Sequence, residues 1–112
     1  MVRVAIPVAN DLLGSHFDAC SHFMIYEIDK KSVKRVKTDL PAYTDIEELS
    51  EWLETNGITD IIVHGIDQPS LTYFSGTKIN LFLGVSINTP EFLIEEYLKG
   101  SLQSDAHNSI RI

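Results

Sequence analysis

The chain has 112 residues, the size of one ordinary domain, which leaves no room for a second domain of comparable size. Its apolar share of 44% and charged share of 22% are ordinary for a globular protein and exclude wholesale disorder. Nine basic against sixteen acidic residues give a net charge of −7, which argues against nucleic-acid and acidic-membrane binding. The single cysteine excludes an internal disulfide. Because no apolar run reaches ~18 residues and the start lacks a signal-peptide pattern, we expect a cytoplasmic protein.

The hydrophobic pattern predicts elements in the order β-β-β-α-β-α-β-α. Alternating apolar residues predict a first strand over 2–8, and the segment 10–21 is interpreted as a loop. A turn at 29–32 joins the second and third strands in a hairpin. The other predicted elements are strands 23–28, 33–38, 60–66 and 79–85, helices 45–56 and 69–74, and a last helix that starts at Thr89 and ends at Gly100.

The predicted helices carry start signals and apolar faces. Thr44 and Glu47 have the spacing of a capping box before the first helix. Thr89 followed by proline is typical of a helix start. We expect the buried stripe of the last helix to consist of Leu93, Ile94, Tyr97 and Leu98.

This order favours a mixed sheet with the first strand at its centre. Strand–helix–strand crossovers need parallel pairing and right-handed connections. We therefore predict five strands ordered 3-2-1-4-5, with the second strand antiparallel to the rest and helices on both faces. In such sheets ligands bind beyond the carboxyl ends of the strands where the winding direction switches, here between strands one and four. The loops 9–17 and 65–67 leave the sheet at this point.

The densest group of candidate ligands consists of His16, Cys20 and His22. Imidazole and thiolate suit iron, copper, zinc or an iron–sulfur species, although the spacing matches no zinc-finger pattern. Cys20 is more typical of a small buried core residue than of a ligand, because free cysteines so often belong to the core. His64 ends an apolar strand, where a core histidine bonded to a carbonyl and a ligand or general base are both compatible with the sequence. His107 is assigned no role.

The charges are distributed unevenly along the chain. Five of the nine basic residues lie within 30–37, whereas 38–77 contains eight acids and neither Lys nor Arg. Two oppositely charged solvated faces explain this pattern. The alternative is that the basic hairpin is a docking stripe or a dimer contact.

Four segments carry a resemblance to a known family. They are Val-Ala-Ile-Pro-Val at 4–8, Ser-His-Phe at 15–17, Phe-Met-Ile-Tyr-Glu-Ile-Asp at 23–29, and the helix, buried strand and glycine of 49–65. Together they resemble the dinitrogenase iron–molybdenum cofactor biosynthesis family, over about residues 2–102. We expect one cofactor-binding domain over 1–102 and a polar tail over 103–112.

The resemblance implies a ribonuclease H-like, three-layer α/β/α fold. It also implies a non-enzymatic, nitrogen-fixation-related protein that binds a metal–sulfur cluster or an iron–molybdenum-type cofactor for carriage, assembly or sensing. The family's loop histidine corresponds to His16, and Cys20, His22 and His64 are the further cofactor-binding candidates, with His16 and Cys20 as metal ligands. Expected partners are a second copy of the chain or a cofactor donor or acceptor protein, with no nucleic acid and no membrane.

The chain departs from the family pattern near the predicted site. Asp18 stands where the family has glycine, and Asp67 follows Gly65 where the family has small residues. Lost glycines remove close backbone N–H donors, and added carboxylates repel an anionic cluster. The alternative function is therefore a divergent member that has lost the cofactor and serves as a regulatory or protein-interaction module. A nuclease, which this fold also hosts, is disfavoured because Arg3 is the only charged residue of the first strand.

Overall fold

The computed structural model describes residues 2–17, 20–30, 32–39 and 45–102. The predicted tail at 103–112 lies outside the described residues. The elements of the described part are β1 Val2–Ala9, β2 Leu12–Leu13, β3 His22–Asp29, β4 Ser32–Asp39, α1 Ile46–Thr55, β5 Asp60–Ile62, α2 Gln68–Ser75, β6 Asn80–Phe82 and α3 Pro90–Lys99. No helix among these is long and apolar enough to cross a membrane.

The main strands form one mixed sheet in the order β4-β3-β1-β5-β6. β3 is antiparallel to β1 and to β4, whereas β5 runs parallel to β1 and β6 runs parallel to β5. This confirms the predicted order, with the first strand at the centre and the hairpin at one edge.

Helices cover both faces of the sheet. α1 and α2 pack on one face through Leu49, Leu53 and Phe74. α3 packs on the other face through Leu93 and Ile94. The three-layer α/β/α architecture of the ribonuclease H-like type is therefore confirmed.

β1 is buried on both faces because it lies at the centre of this sheet. Its alternating side chains divide between the two cores: Ala5 packs under α1 and α2, while Val4, Ile6 and Val8 pack under α3. Alternate side chains of this one strand thus pack into the two cores on either side of the sheet.

The segment 10–21, predicted to be a loop, contains the short strand β2. Asn10 and Asp11 have φ values of 54° and 65°, the left-handed pair that a two-residue hairpin turn requires. The turn returns the chain so that Leu12 and Leu13 pair antiparallel with the end of β1. Because β3 occupies the other edge of β1, β2 lies on the β5 side.

Two details of the helices differ from the prediction. Asp45 caps α1 by accepting a hydrogen bond from the Glu48 N–H at 3.0 Å, so the cap lies one residue later than the predicted capping box; Thr44 lies outside the described residues. Leu98 is 47% exposed and does not belong to the buried stripe. Leu102, beyond the turn that ends α3, packs against the core instead.

β5 and β6 are shorter than the predicted strands 60–66 and 79–85. The apolar runs continue through Val63, Leu83 and Val85, which are buried beyond the strand ends. The Val63 N–H still donates to the Phe82 carbonyl at 2.9 Å, and the Val85 N–H donates to the Val63 carbonyl at 3.1 Å. The segments that follow β5 and β6 therefore remain hydrogen-bonded to each other as far as the edge at which the predicted site lies.

Candidate functional site

The loop that follows β1 rests on the end of β5. The Phe17 N–H donates to the Gly65 carbonyl oxygen at 2.8 Å. The Phe17 ring is buried in the core and meets the Phe74 ring edge-on, with 5.5 Å between centroids. Phe17 thus anchors the loop, while His16, one residue earlier, is exposed. The two loops predicted to leave the sheet side by side are in contact.

Gly65 allows this close contact because it has no side chain. A Cβ at this position would lie 2.7 Å from the Ser15 carbonyl oxygen and 3.2 Å from Nδ1 of His16. The first separation is too short for a real Cβ, so the Ser15 backbone occupies the space that any other residue would fill. This role of Gly65 was not predicted. A glycine directly after a buried strand is the signal that indicates such an approach.

His64 lies at the same strand end, and its ring is oriented by the backbone that follows β6. Nδ1 of His64 lies 2.9 Å from the Val85 carbonyl oxygen. Because a carbonyl oxygen only accepts, Nδ1 carries the proton, and in the neutral ring Nε2 carries the lone pair. The residue is exposed, so Nε2 can meet a ligand from solvent. A ligating histidine is typically oriented by such a bond from its other nitrogen.

A cavity of about 250 Å³ lies beside Phe17. Its lining combines the apolar side chains of Ile46 and Leu49 with the carboxylates of Asp45 and Asp67, the residues that precede α1 and α2. The amino-terminal ends of two helices favour an anion there. The two carboxylates oppose it. Asp45 is engaged in capping α1, whereas Asp67 makes no side-chain cap bond.

The other two candidate ligands lie against opposite faces of the sheet. Cys20 is partly buried against the core under α1 and α2. His22 lines a separate cavity on the α3 face together with Met24 and Pro90. Its Nδ1 lies 2.9 Å from Oγ of Ser21.

The structure therefore brings together part of the predicted site. The loop that bears His16 sits on Gly65, the residue after His64, whereas Cys20 and His22 belong to separate surroundings. Across residues 2–17, 20–30, 32–39 and 45–102, no group of three or more His, Cys, Asp or Glu side chains is arranged to hold a metal ion. Asp18 lies outside these ranges.

Comparisons with known proteins identify the family. The family described as "Dinitrogenase iron-molybdenum cofactor" matches residues 1–100. The uncharacterized protein MJ0580 of Methanocaldococcus jannaschii is 27% identical over 108 residues, which cover 92% of this chain and 91% of that protein. The PH0822 crystal structure superposes with a TM-score of 0.81 at 23% identity, covering 93% of this chain and 96% of the other. The apo form of the orange protein from Desulfovibrio gigas superposes with a TM-score of 0.73 at 14% identity, covering 95% of this chain and 94% of the other. The solved structures share the fold, and the match over residues 1–100 shows that the chain belongs to the dinitrogenase iron–molybdenum cofactor family.

Proposed function

We propose that the protein is a non-enzymatic carrier, assembly factor or sensor for a metal–sulfur cluster of the iron–molybdenum type. The cargo would bind at the sheet edge where the loop after β1 meets the end of β5. The observation that carries the proposal is that the His16 loop rests on Gly65, the residue that directly follows His64. Family membership supports it, because the family is implicated in the biosynthesis of this cofactor.

The exposure of both histidines suits a cargo that is received and released. A closed structural metal site uses four protein ligands, whereas His16 and His64 provide two, which leaves a bound metal open to other ligands. His16 and His64 supply borderline nitrogen donors of the kind that iron accepts. Because both side chains are exposed, the cargo could leave without opening the core. Cys20 and His22 flank this edge from opposite faces, so each is a helper ligand to be tested separately.

The test is to load the protein without oxygen and to measure its metal content and absorption spectrum. His16→Ala should lower the bound metal several-fold, whereas His107→Ala, at a histidine to which the proposal assigns no role, should leave it unchanged. Cys20→Ser should weaken binding of thiophilic metals. The thermal unfolding of His16→Ala should match that of the unmodified protein, since an exposed loop side chain contributes little to the core.

Equal metal occupancy in the unmodified protein and in His16→Ala would refute the proposed site. The second candidate function, a regulatory or interaction module without cofactor, would then be the better one. The carboxylates of Asp45 and Asp67 favour this alternative, because they border the cavity beside Phe17 and repel an anionic cluster.

A further inference from the structure

β4 forms one edge of the sheet and presents a basic surface. It pairs with β3 along its whole length of 8 residues, and in the described part of the chain nothing pairs with its other edge. Lys34, Arg35 and Lys37 are exposed, and Val33 is 44% exposed. A long edge strand with unpaired backbone groups is a template for the addition of another strand.

The basic side chains of β4 project on both faces of the sheet. Lys34 lies opposite Glu27 in the register, whereas Arg35 and Lys37 lie opposite Tyr26 and Met24, which pack on the α3 side. The hairpin 22–39 contains five basic and three acidic residues, although the chain as a whole carries a net charge of −7. An added strand with acidic side chains would therefore meet complementary charge on either face.

A second copy of the chain does not fit this edge. If two β4 strands paired antiparallel about a two-fold axis centred on Arg35, the two Arg35 side chains would face each other. A shift of the axis to Val36 sets Arg35 opposite Lys37, and a shift to Lys34 sets the two Lys34 side chains opposite each other. Like charges directly opposite one another destabilise a strand pair. Each register through the middle of β4 is therefore unfavourable for self-association.

A cavity beside the edge can receive an acidic side chain. It measures about 350 Å³, lies on the α3 face, and has two cations, Arg35 and Lys37, and two carboxylates, Asp11 and Glu91, in its lining. Arg35 is paired with Glu91 at 3.3 Å, whereas no ion pair of Lys37 occurs among the described residues. Among the described side chains, Lys37 is thus a cation in this lining that takes part in no ion pair.

We propose that the outer edge of β4 binds an extended acidic segment of another protein by strand addition. Backbone hydrogen bonds to β4 supply the pairing, Lys34 and Lys37 select acidic side chains on the two faces, and one carboxylate of the segment enters the cavity beside Lys37. This surface lies on β4, apart from the proposed cargo site at β5, so the inference does not depend on the proposed function.

The probe is a synthetic eight-residue peptide in which pairs of Glu alternate with pairs of Val, so that an extended strand presents Glu on both faces; it is titrated to millimolar concentration against isotope-labelled protein. The amide resonances of residues 32–39 should shift, and hydrogen exchange along β4 should slow. Lys34→Glu combined with Lys37→Glu should weaken binding at least tenfold. Lys78→Glu combined with Lys99→Glu changes the net charge equally at two exposed lysines elsewhere and should leave binding within twofold.

A peptide methylated at every backbone nitrogen keeps the charges and cannot donate hydrogen bonds, so its binding should also fall at least tenfold. Equal binding of the methylated peptide, or no shifts along β4, would overturn strand addition. Dimers that form through β4 in sedimentation experiments would overturn the choice of partner. So would an oligonucleotide that binds this edge more tightly than the acidic peptide does.

Discussion

Replacing Gly65 by alanine tests how the candidate site is built. The added Cβ would lie 2.7 Å from the Ser15 carbonyl oxygen, so the loop after β1 must move away from the end of β5. The hydrogen bond from the Phe17 N–H to the Gly65 carbonyl crosses the same contact at 2.8 Å and would be stretched. We expect the loop that bears His16 to lose its contact with residue 65, and the amount of bound cargo to fall.

The magnitude follows from three opposing effects. Loss of the hydrogen bond costs about 1 kcal/mol. Forcing an extra methyl group into a packed contact costs about 1–3 kcal/mol. Alanine lowers the conformational entropy of the unfolded chain, which stabilises the fold by about 0.4–1 kcal/mol. This gain applies here because Gly65 is not among the glycines with positive φ, so alanine can adopt its backbone conformation. The net destabilisation should be about 1–3 kcal/mol.

Urea unfolding measures this loss as a lower midpoint at constant slope, and amide resonances of residues 15–17 report the displaced loop. Gly76→Ala is the matched control, because its Cβ would lie 3.5 Å from the Tyr73 carbonyl oxygen, an ordinary contact. It should be neutral or slightly stabilising. If Gly65→Ala were as stable as this control and left residues 15–17 unshifted, the loop would not rest on Gly65.

Three further predictions concern charge. Asp67→Asn should tighten binding of tetrathiomolybdate, an anionic molybdenum–sulfur probe, about threefold to tenfold, because it removes one unit charge from a partly solvated cavity; calorimetric titration showing unchanged or weaker binding would contradict this. Burial, then the negative charge of Asp60, which accepts a hydrogen bond from the hydroxyl, raises the pKa of Tyr97 from 10.0 to about 12. The folded form binds the Tyr97 proton more tightly than the unfolded form. The contribution of this proton to the free energy of unfolding is therefore complete below pH 10 and is lost as the pH rises through about 12. Chemical denaturation across this range should show a smaller loss in Tyr97→Phe, and an equal loss would refute the assignment. Duplex DNA should not bind at physiological salt, and a salt-sensitive shift at micromolar protein would refute that expectation.

The sheet order could be predicted because it depends on patterns that repeat along the chain. Alternation in β1, the hairpin turn at 29–32 and the apolar run that contains β5 each identify an element, and the handedness of crossovers leaves few ways to combine them. β2 was missed because it has only two residues, too few for a period. The turn residues Asn10 and Asp11 were its only local signal, since both residue types tolerate positive φ.

The candidate site could be predicted only in part, because its contacts join distant parts of the chain. Topology places the His16 loop beside the end of β5, and this follows from the sequence. The bond from His64 to the Val85 carbonyl depends on how the chain turns after β6, which no local pattern encodes. His22 was grouped with Cys20 because the two are close in sequence. The alternation of side chains at β3 instead directs His22 toward the α3 face.

The position of the site and its choice of cargo therefore have different physical origins. A central β1 with a parallel neighbour requires a loop at this edge, and Gly65 allows that loop to close onto β5. Both features belong to the backbone, so they persist when surface residues change. The cargo depends on a few charges around the edge, and here Asp45 and Asp67 offset the helix ends that would attract an anion. A chain can thus keep the architecture of a cofactor carrier while one or two carboxylates determine whether an anionic cluster binds.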